Sequence, residues 1–395
     1  MSSDAASATI PTVYASVGRR LVQYDLDLDA ATLTERSSIT LPAKVQYVWP
    51  HASGRFIYVA TSDGGPGSAG TSHYATALRI DPASGALEPH GDAVALPSRP
   101  IHTATDIDST HLLTAYNTPS NMTVHRINAD GTIGALVPQD ALDTGIYAHQ
   151  VRVAPSNATA ILVTRGNNAE PGKPEDPGAL KVFDYADGVL TGGVSIAPGG
   201  GYGFGPRHLD FHPARPWVFV SLERQNELYL HRLDGGVLSE APVFAASTLA
   251  EPEHLRVGQM AGTLHLHPNG KWLYLANRAY ATTTVDGREV AVGGENNIAC
   301  FAIDEDTGEP TLVQTIDTRG YYARTFAIAP GGRLMVVGNM QPLVELDGTT
   351  PRTVPASLAL FRISDDGRLD YVRKYDIEVG ADSMFWSGIV ERAAQ

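Results

Sequence analysis

The sequence lacks several features that define large classes of proteins. It contains a single cysteine, Cys300, which excludes an internal disulfide. No apolar run approaches the roughly 18 residues of a membrane-spanning helix. The N-terminal residues form neither the basic nor the apolar segment of a signal peptide. We therefore predict a cytoplasmic protein that does not bind membranes.

Positive charge is also in short supply. The formal net charge is −14 at pH 7, which argues against a nucleic-acid partner or an anionic membrane surface. A chain this acidic binds an anion only through a local cluster of Arg and His side chains. The glycines of Gly199–Gly205 are followed by Pro206 and a strand, so they are no dinucleotide-binding fingerprint, which needs a helix there. We find no serine nucleophile elbow, and we predict no cofactor.

What the sequence does contain is a repeat. Seven times, a short apolar strand enters a turn rich in Asp, Asn and Gly and leaves it at a hydrophobic residue. The copies are Tyr24–Leu33, Leu78–Leu87, Val124–Ile133, Val182–Leu190, Leu230–Leu238, Phe301–Leu312 and Leu360–Leu369. Their spacing averages about 56 residues, and a unit of strands and turns of that length is typical of a β-propeller blade.

The repeat predicts an all-β fold, a seven-bladed β-propeller with four-stranded antiparallel blades. Because blades bury their faces only against neighbouring blades, we expect one domain over residues 12–395 and a flexible N-terminus over residues 1–11. The stretch Asp382–Val390 is expected to pair with Thr12–Tyr24 and close the ring.

Four insertions interrupt the repeat. They are Asp63–Ser72, Asn167–Gly178, Ala279–Asn297 and Leu343–Pro355. Long loops on a rigid scaffold often shape a binding site. An equally good interpretation is that they are solvated excursions.

The densest polar segment, Gly199–Pro213, suggests a functional site. Arg207 immediately precedes the predicted innermost strand of a blade, where side chains face the central channel. Glu223 ends the following strand. Neighbouring strand ends place this cation and carboxylate within reach of one cavity. The alternative is an ion pair that only ties the two strands together.

Three other blades repeat parts of this layout. His149 leads into a similar turn, and Arg278 ends the strand that follows the His267 turn. Arg324 precedes a turn in the next blade, and Gln341 follows its strand.

Two segments then carry a family resemblance. They are Arg207-His208-x3-His212-Pro213, followed by Glu223, and Pro268-Asn269-Gly270-Lys271-x-Leu273-Tyr274-x-x-Asn277-Arg278. They resemble the seven-bladed β-propeller lactonase family, which includes 6-phosphogluconolactonase and 3-carboxy-cis,cis-muconate lactonizing enzyme. The resemblance implies a catalytic set without a metal, formed by His149, Arg207, Glu223 and Arg278. The Thr164–Asn167 segment lacks the family's usual acidic residues, and Tyr322-Ala323-Arg324 replaces its usual Pro-Arg. Both departures predict a different substrate from that of the best-known members.

Further residues are assigned to substrate binding, namely Arg324, His208, Gln341 and Tyr322. His208 also has the simpler interpretation of bracing its turn, and Tyr322 that of packing between blades. His265 and His267 share one face of a strand and suggest a metal site, but no third ligand is apparent. We predict none.

These residues predict a metal-independent lactonase for a small anionic lactone from sugar acids or aromatic catabolism. Arg207 and Arg278 would hold the acid group and polarise the carbonyl, and Glu223, helped by His149, would activate water. One alternative is a muconate-type cycloisomerase that acts on an open-chain dicarboxylate with the same four residues. Another is a propeller that binds a protein or peptide. We expect a monomer or weak homo-oligomer.

Overall fold

The structure, a computed structural model, describes residues 9–393. These residues form antiparallel strands joined by turns, with short 3-10 turns at Pro198–Gly201 and Pro252–His254. Seven sheets, each with a path of four strands, form the blades. The predicted seven-bladed propeller is confirmed. Within the described part of the chain, no helix is long and apolar enough to cross a membrane.

The first four blades contain the following strands, in chain order. Blade 1 contains β1 (Thr9–Val17), β2 (Arg20–Asp27), β3 (Thr32–Thr40) and, from the C-terminus, β34 (Ser387–Ala393). Blade 2 contains β4 (Lys44–Pro50), β5 (Phe56–Ser62), β6 (His73–Ile80), β7 (Leu87–Pro89) and β8 (Val94–Ala95). Blade 3 contains β9 (Pro100–Thr105), β10 (His111–Asn117), β11 (Ser120–Ile127) and β12 (Ile133–Leu136). Blade 4 contains β13 (Ala148–Val153), β14 (Thr159–Thr164), β15 (Ala179–Ala186) and β16 (Val189–Ile196).

The last three blades contain more than four strands each, and in blades 6 and 7 the extra strands belong to the longer insertions. Blade 5 contains β17 (Pro206–Phe211), β18 (Trp217–Leu222), β19 (Glu227–Asp234), β20 (Val237–Leu238) and β21 (Phe244–Ser247). Blade 6 contains β22 (Met260–Leu266), β23 (Trp272–Arg278), the separate hairpin β24 (Thr282–Val285) and β25 (Arg288–Ala291), then β26 (Asn297–Ile303) and β27 (Pro310–Asp317). Blade 7 contains β28 (Ala323–Ile328), β29 (Leu334–Asn339), the separate hairpin β30 (Leu343–Asp347) and β31 (Thr350–Val354), then β32 (Ser357–Ile363) and β33 (Leu369–Asp376).

The two ends of the chain close the ring. Strand β34 is the inner strand of blade 1 and pairs with β1, with Val390 opposite Thr12. This confirms the predicted closure. Residues 9–11, expected to be part of a flexible N-terminus, instead belong to β1 and pair with β34. The rest of that predicted segment, residues 1–8, lies outside the described residues.

Contacts between blades explain the repeat in the sequence. In blades 3 to 7, the glycine of the turn between the third and fourth strands packs on the first residue of the second strand in the preceding blade. Gly131 has φ 90°, and a Cβ on it would lie 2.5 Å from the Phe56 ring. Tyr58 Oη donates a hydrogen bond to the Gly131 carbonyl at 3.0 Å. Since the core also lies between adjacent blades, each repeat depends on its neighbours.

The four insertions lie at one end of the ring. Each connects the second and third strands of a blade, in blades 2, 4, 6 and 7. The two longest form the hairpins β24–β25 and β30–β31, which contact one another. The inner strands of blades 2 to 7 begin at this same end, so the insertions surround one mouth of the channel.

Candidate functional site

The site is built from β-bulges at the mouth of the channel. In the pairing of inner and second strands, the register shifts at His149, Arg207 and Arg324. A bulge leaves one residue out of the ladder and redirects its side chain. Blade 6 shifts over Gly262 and Thr263, and a Cβ on Gly262 would approach Arg278 Nε to 3.4 Å. The same Cβ would lie 2.7 Å from the Ala276 carbonyl oxygen, so the irregular register of blade 6 requires a glycine here.

The ends of the second strands supply the other half of the site. Thr164, Leu222 and Asn277 are equivalent residues, because each pairs with the residue that precedes the bulge in its blade. The residues that follow them are Arg165, Glu223 and Arg278. Three successive blades thus place two cations and a carboxylate at equivalent positions.

Glu223 is the centre of this cluster. Its Oε2 accepts a hydrogen bond from Arg165 Nη1 at 2.5 Å, and its Oε1 accepts one from Arg207 Nε at 2.9 Å. Arg278 Nη2 also donates to Oε1. Only 3% of Glu223 is exposed, and 1% of Arg207 and of Arg278. The predicted proximity of Arg207, Glu223 and Arg278 is present in the structure, with Arg165 as an unpredicted third arginine.

Electrostatics fix the charge of Glu223. Burial by itself raises the pKa of this carboxyl, but the charges of Arg165, Arg278 and Arg207 outweigh it and hold the pKa well below its ordinary value. Burial and the repulsion of Arg278 lower the pKa of Arg207 to about 9. Glu223 is therefore an anion and Arg207 a cation at neutral pH.

Buried histidines lie beside the cluster. The ring centroid of His208 is 5.3 Å from that of His149 and 6.1 Å from that of His102. Burial, together with the charge of Arg207, holds the pKa of His149 and of His208 well below the ordinary value. His149 is therefore neutral at pH 7, and its buried Nδ1 has no hydrogen-bond partner among residues 9–393.

Two tyrosines in an unusual backbone conformation cover the arginines. Tyr147 and Tyr322 immediately precede inner strands and have φ 60° and 57°, a conformation that is rare for bulky residues and is often found at functional sites. The Cζ atom of Arg165 lies 4.0 Å from the Tyr147 ring centroid, and that of Arg278 lies 4.8 Å from the Tyr322 ring centroid. These stacking contacts orient both guanidinium groups.

The insertions support the site residues. Asn296, from the third insertion, accepts a hydrogen bond from the Tyr322 amide at 2.9 Å. Tyr280, from the same insertion, packs edge-on against Tyr322. The second insertion is tied down by Arg224, which follows Glu223 and contacts Asn168 at 3.0 Å. The insertions thus hold the rim of the site in place.

Arg324 and Gln341, the two other residues that we predicted to bind substrate, lie in different parts of the structure. Arg324 is 8% exposed and faces the channel, where its Nε donates to the Phe385 carbonyl at 2.9 Å. Gln341 is half-buried and lines a separate cavity of about 410 Å³ with Lys44, Asp382 and Phe385. Gln341 is therefore not in contact with the Glu223 cluster.

No metal-ligand set is apparent in the described part of the chain, where no three His, Cys, Asp or Glu side chains are arranged to hold an ion. His265 Nδ1 lies 3.8 Å from Asp210 Oδ2. His267 and His212 instead brace turns, since each Nε2 donates to a glycine carbonyl, that of Gly332 or Gly270. The glycine-rich segment Gly199–Gly205 also has a structural role, because a Cβ on Gly201 would collide with the Gly178 carbonyl.

Comparison with known proteins identifies the family of this chain. The family described as "Lactonase, 7-bladed beta-propeller" matches residues 8–342. The chain belongs to this family. The predicted family is thus confirmed, and with it the class of enzyme, a lactone hydrolase.

Individual relatives support the same grouping. The chain is 26% identical to the 6-phosphogluconolactonase of Bacillus subtilis (strain 168) over 343 residues, which cover 84% of this chain and 88% of that protein. It is 27% identical to the 6-phosphogluconolactonase of Pectobacterium atrosepticum over 291 residues, 70% of this chain and 79% of that protein. A periplasmic gluconolactonase of Pseudomonas aeruginosa superposes with a TM-score of 0.73 at 21% identity, covering 96% of this chain and 99% of that structure. At that identity the last similarity describes the fold alone.

Proposed function

We propose that this protein hydrolyses a sugar-acid lactone, of the 6-phosphogluconolactone or gluconolactone type, without a metal ion. The observation that carries the proposal is the buried cluster of Arg165, Arg207 and Arg278 around one carboxylate, next to a neutral histidine. Three cations against one anion favour a substrate that is negative or becomes negative during the reaction. The names of the relatives support the choice of sugar-acid lactones.

The free nitrogen atoms suggest how the reaction proceeds. His149 Nδ1, Arg207 Nη1 and Arg278 Nη1 are buried and have no hydrogen-bond partner in the described chain. His149 would take a proton from water as the water oxygen attacks the lactone carbonyl. The two arginines would stabilise the oxyanion of the tetrahedral intermediate. The ring C–O bond then breaks, and the leaving oxygen takes the proton from His149 to become a hydroxyl.

Glu223 has a different role in this scheme from the one that we predicted from sequence. Both of its oxygens already accept arginine hydrogen bonds, and its pKa is held well below the ordinary range by those arginines, which outweigh the opposing effect of burial. The pKa of His149 is lowered as well, so the choice between the two groups rests on geometry: the Glu223 oxygens are occupied by arginines, whereas His149 Nδ1 is free. We therefore assign the base to His149, and to Glu223 the task of orienting the arginines.

Metal independence is part of the proposal and rests on charge. A divalent cation at this site would face Arg165, Arg207 and Arg278, with Glu223 as the one carboxylate in contact with them. Coulomb repulsion disfavours the cation there. A cavity of about 520 Å³ is lined by Tyr147 and Arg165 and is large enough for a small substrate beside the cluster.

A proton-release assay at constant pH tests the proposal. Wild-type protein should hydrolyse 6-phosphogluconolactone or gluconolactone at the same rate with and without EDTA. Arg207→Ala should lower kcat/KM by about 10²–10³-fold, while Arg55→Gln, at an exposed arginine on the opposite end of the ring, should have no effect. Full activity in Arg207→Ala would refute the assignment of the site, and inhibition by EDTA would refute metal independence.

Neither the geometry nor the relatives named above favour the muconate cycloisomerase or a binding propeller without activity. The cytoplasmic location stays a prediction.

A further inference from the structure

A second group of cations lies on the blades that do not carry the Glu223 cluster. Arg99 immediately precedes β9 of blade 3, and Arg324 lies at the bulge of β28 in blade 7. Their Cζ atoms are 5.9 and 3.5 Å from the ring centroid of Phe385, which precedes the closing strand β34. Arg99 is 4% exposed and Arg324 is 8% exposed. Two buried guanidinium groups thus share one aromatic ring.

Neutral acceptors hold both arginines through Nε. Arg99 Nε donates to Gln46 Oε1 at 2.9 Å, and Arg324 Nε donates to the Phe385 carbonyl at 2.9 Å. Gln46 lies at the bulge of β4, and its amide donates to the carbonyl of Gly64 in the first insertion. This arrangement fixes the orientation of the arginines and leaves their terminal nitrogens free. Arg99 Nη2 is buried and has no hydrogen-bond partner among the described residues.

These cations have no carboxylate of their own. The ion pairs of the described residues include neither Arg99 nor Arg324, and Glu223, the carboxylate that acts on Arg324, is already bound by three other arginines. Burying a guanidinium without a counter-charge is costly. An anion that enters from solution would relieve this cost, because it would supply the missing charge and accept the free N–H groups.

We propose that Arg99 and Arg324, positioned by Gln46 and Phe385, form a second anion-binding subsite. It takes an acidic group at the far end of the substrate, a phosphate monoester or a carboxylate, while Arg207 and Arg278 act on the lactone carbonyl. The inference rests on the proposed function for the lactone end of the substrate. It makes Arg99, which no sequence motif singled out, a residue that determines specificity.

Isothermal titration calorimetry with stable open-chain ligands tests the subsite. Gluconate carries one acidic group, 6-phosphogluconate adds a phosphate, and glucarate adds a second carboxylate. Wild-type protein should bind at least one of the two doubly acidic ligands about tenfold or more tightly than gluconate. A gain for 6-phosphogluconate assigns the subsite to phosphate, and a gain for glucarate alone assigns it to carboxylate.

Arg99→Gln should remove most of this gain and leave the affinity for gluconate unchanged, and Arg99→Lys should restore part of it. Arg55→Gln should behave as wild type. Because Arg99 is a buried cation without a counter-charge, Arg99→Gln should unfold at the same temperature as the wild type or a higher one when no ligand is added. No gain in the wild type, or the same gain in Arg99→Gln, would overturn the subsite.

The outcomes separate the subsite from the proposed function. If gluconolactone is hydrolysed but Arg99 does not affect ligand affinity, the function stands and the subsite fails. If no lactone is hydrolysed but the Arg99-dependent gain is present, the function fails and the subsite stands.

Discussion

Replacing Glu223 by Gln tests the electrostatic description of the site. The substitution keeps the shape of the side chain but removes the negative charge that pairs with Arg165, Arg207 and Arg278. Breaking a buried ion pair by removing one partner costs about 3–5 kcal/mol, since the other charge stays buried. Two of the three arginines are 1% exposed, so we expect a loss in this range. A domain stable by about 5–15 kcal/mol should still fold.

Urea unfolding, followed by circular dichroism at pH 7, measures this loss. The matched control is Glu88→Gln, which breaks the exposed Glu88–Arg79 pair and should cost no more than about 1 kcal/mol. If Glu223→Gln is as stable as Glu88→Gln, Glu223 does not hold the arginines and the description is wrong.

The pH dependence gives a second test of the same residue. The three arginines outweigh the opposing effect of burial and hold the pKa of Glu223 below its value in the unfolded chain, which is about 4.3. The ionised carboxylate therefore contributes stability that is fully present above about pH 4.3 and is lost as the pH falls through the lower folded-state pKa. The difference in unfolding free energy between wild type and Glu223→Gln should be constant from pH 7 to about pH 4.5 and should shrink below that.

Three further predictions concern single residues. Arg165→Gln should lower kcat/KM by about tenfold through the loss of its contact with Glu223, and Arg165→Lys should recover part of it. His149→Gln should lower kcat by about 10²–10⁴-fold without loss of stability; because burial and Arg207 hold the pKa of His149 well below its usual value, the wild-type rate should show no limb near pH 6.5. Gly131→Ala should destabilise by about 2–4 kcal/mol in urea, from the positive φ and the collision with Phe56. Gly331→Ala should cost less, since that glycine has φ 81° but open space around it.

The sequence predicted the fold well because the repeat has a direct physical cause. The turn glycines of blades 3 to 7 contact the first residues of the second strands in the preceding blades, as Gly131 contacts Phe56. A periodic contact requires a periodic sequence. The insertions could be located for the same reason, but the sequence did not show that their loops, such as the one containing Asn296, support the rim.

The site was only partly predictable, since it depends on strand register. Arg207, Glu223 and Arg278 could be found because they end or begin recognisable strands. Arg165 occupies the position equivalent to Glu223 and Arg278, and aligning the strand ends of blades 4 to 6 would have identified it. Arg99 and Tyr147 give no such signal, because their side chains reach the channel through loop conformations and bulges that neighbouring strands determine.

The distribution of charge links the site to the closure of the ring. The chain carries a net charge of −14, yet it buries four arginines, Arg99, Arg207, Arg278 and Arg324, near the partly buried Arg165, and Glu223 pairs with three of these five. These arginines belong to five different blades. Of the three arginine contacts with Glu223, only that of Arg207 lies within one blade. Phe385, on which Arg99 and Arg324 stack, directly precedes the closing strand β34. The step that closes the ring therefore also places Phe385 against Arg99 and Arg324 and brings these two cations into the same site.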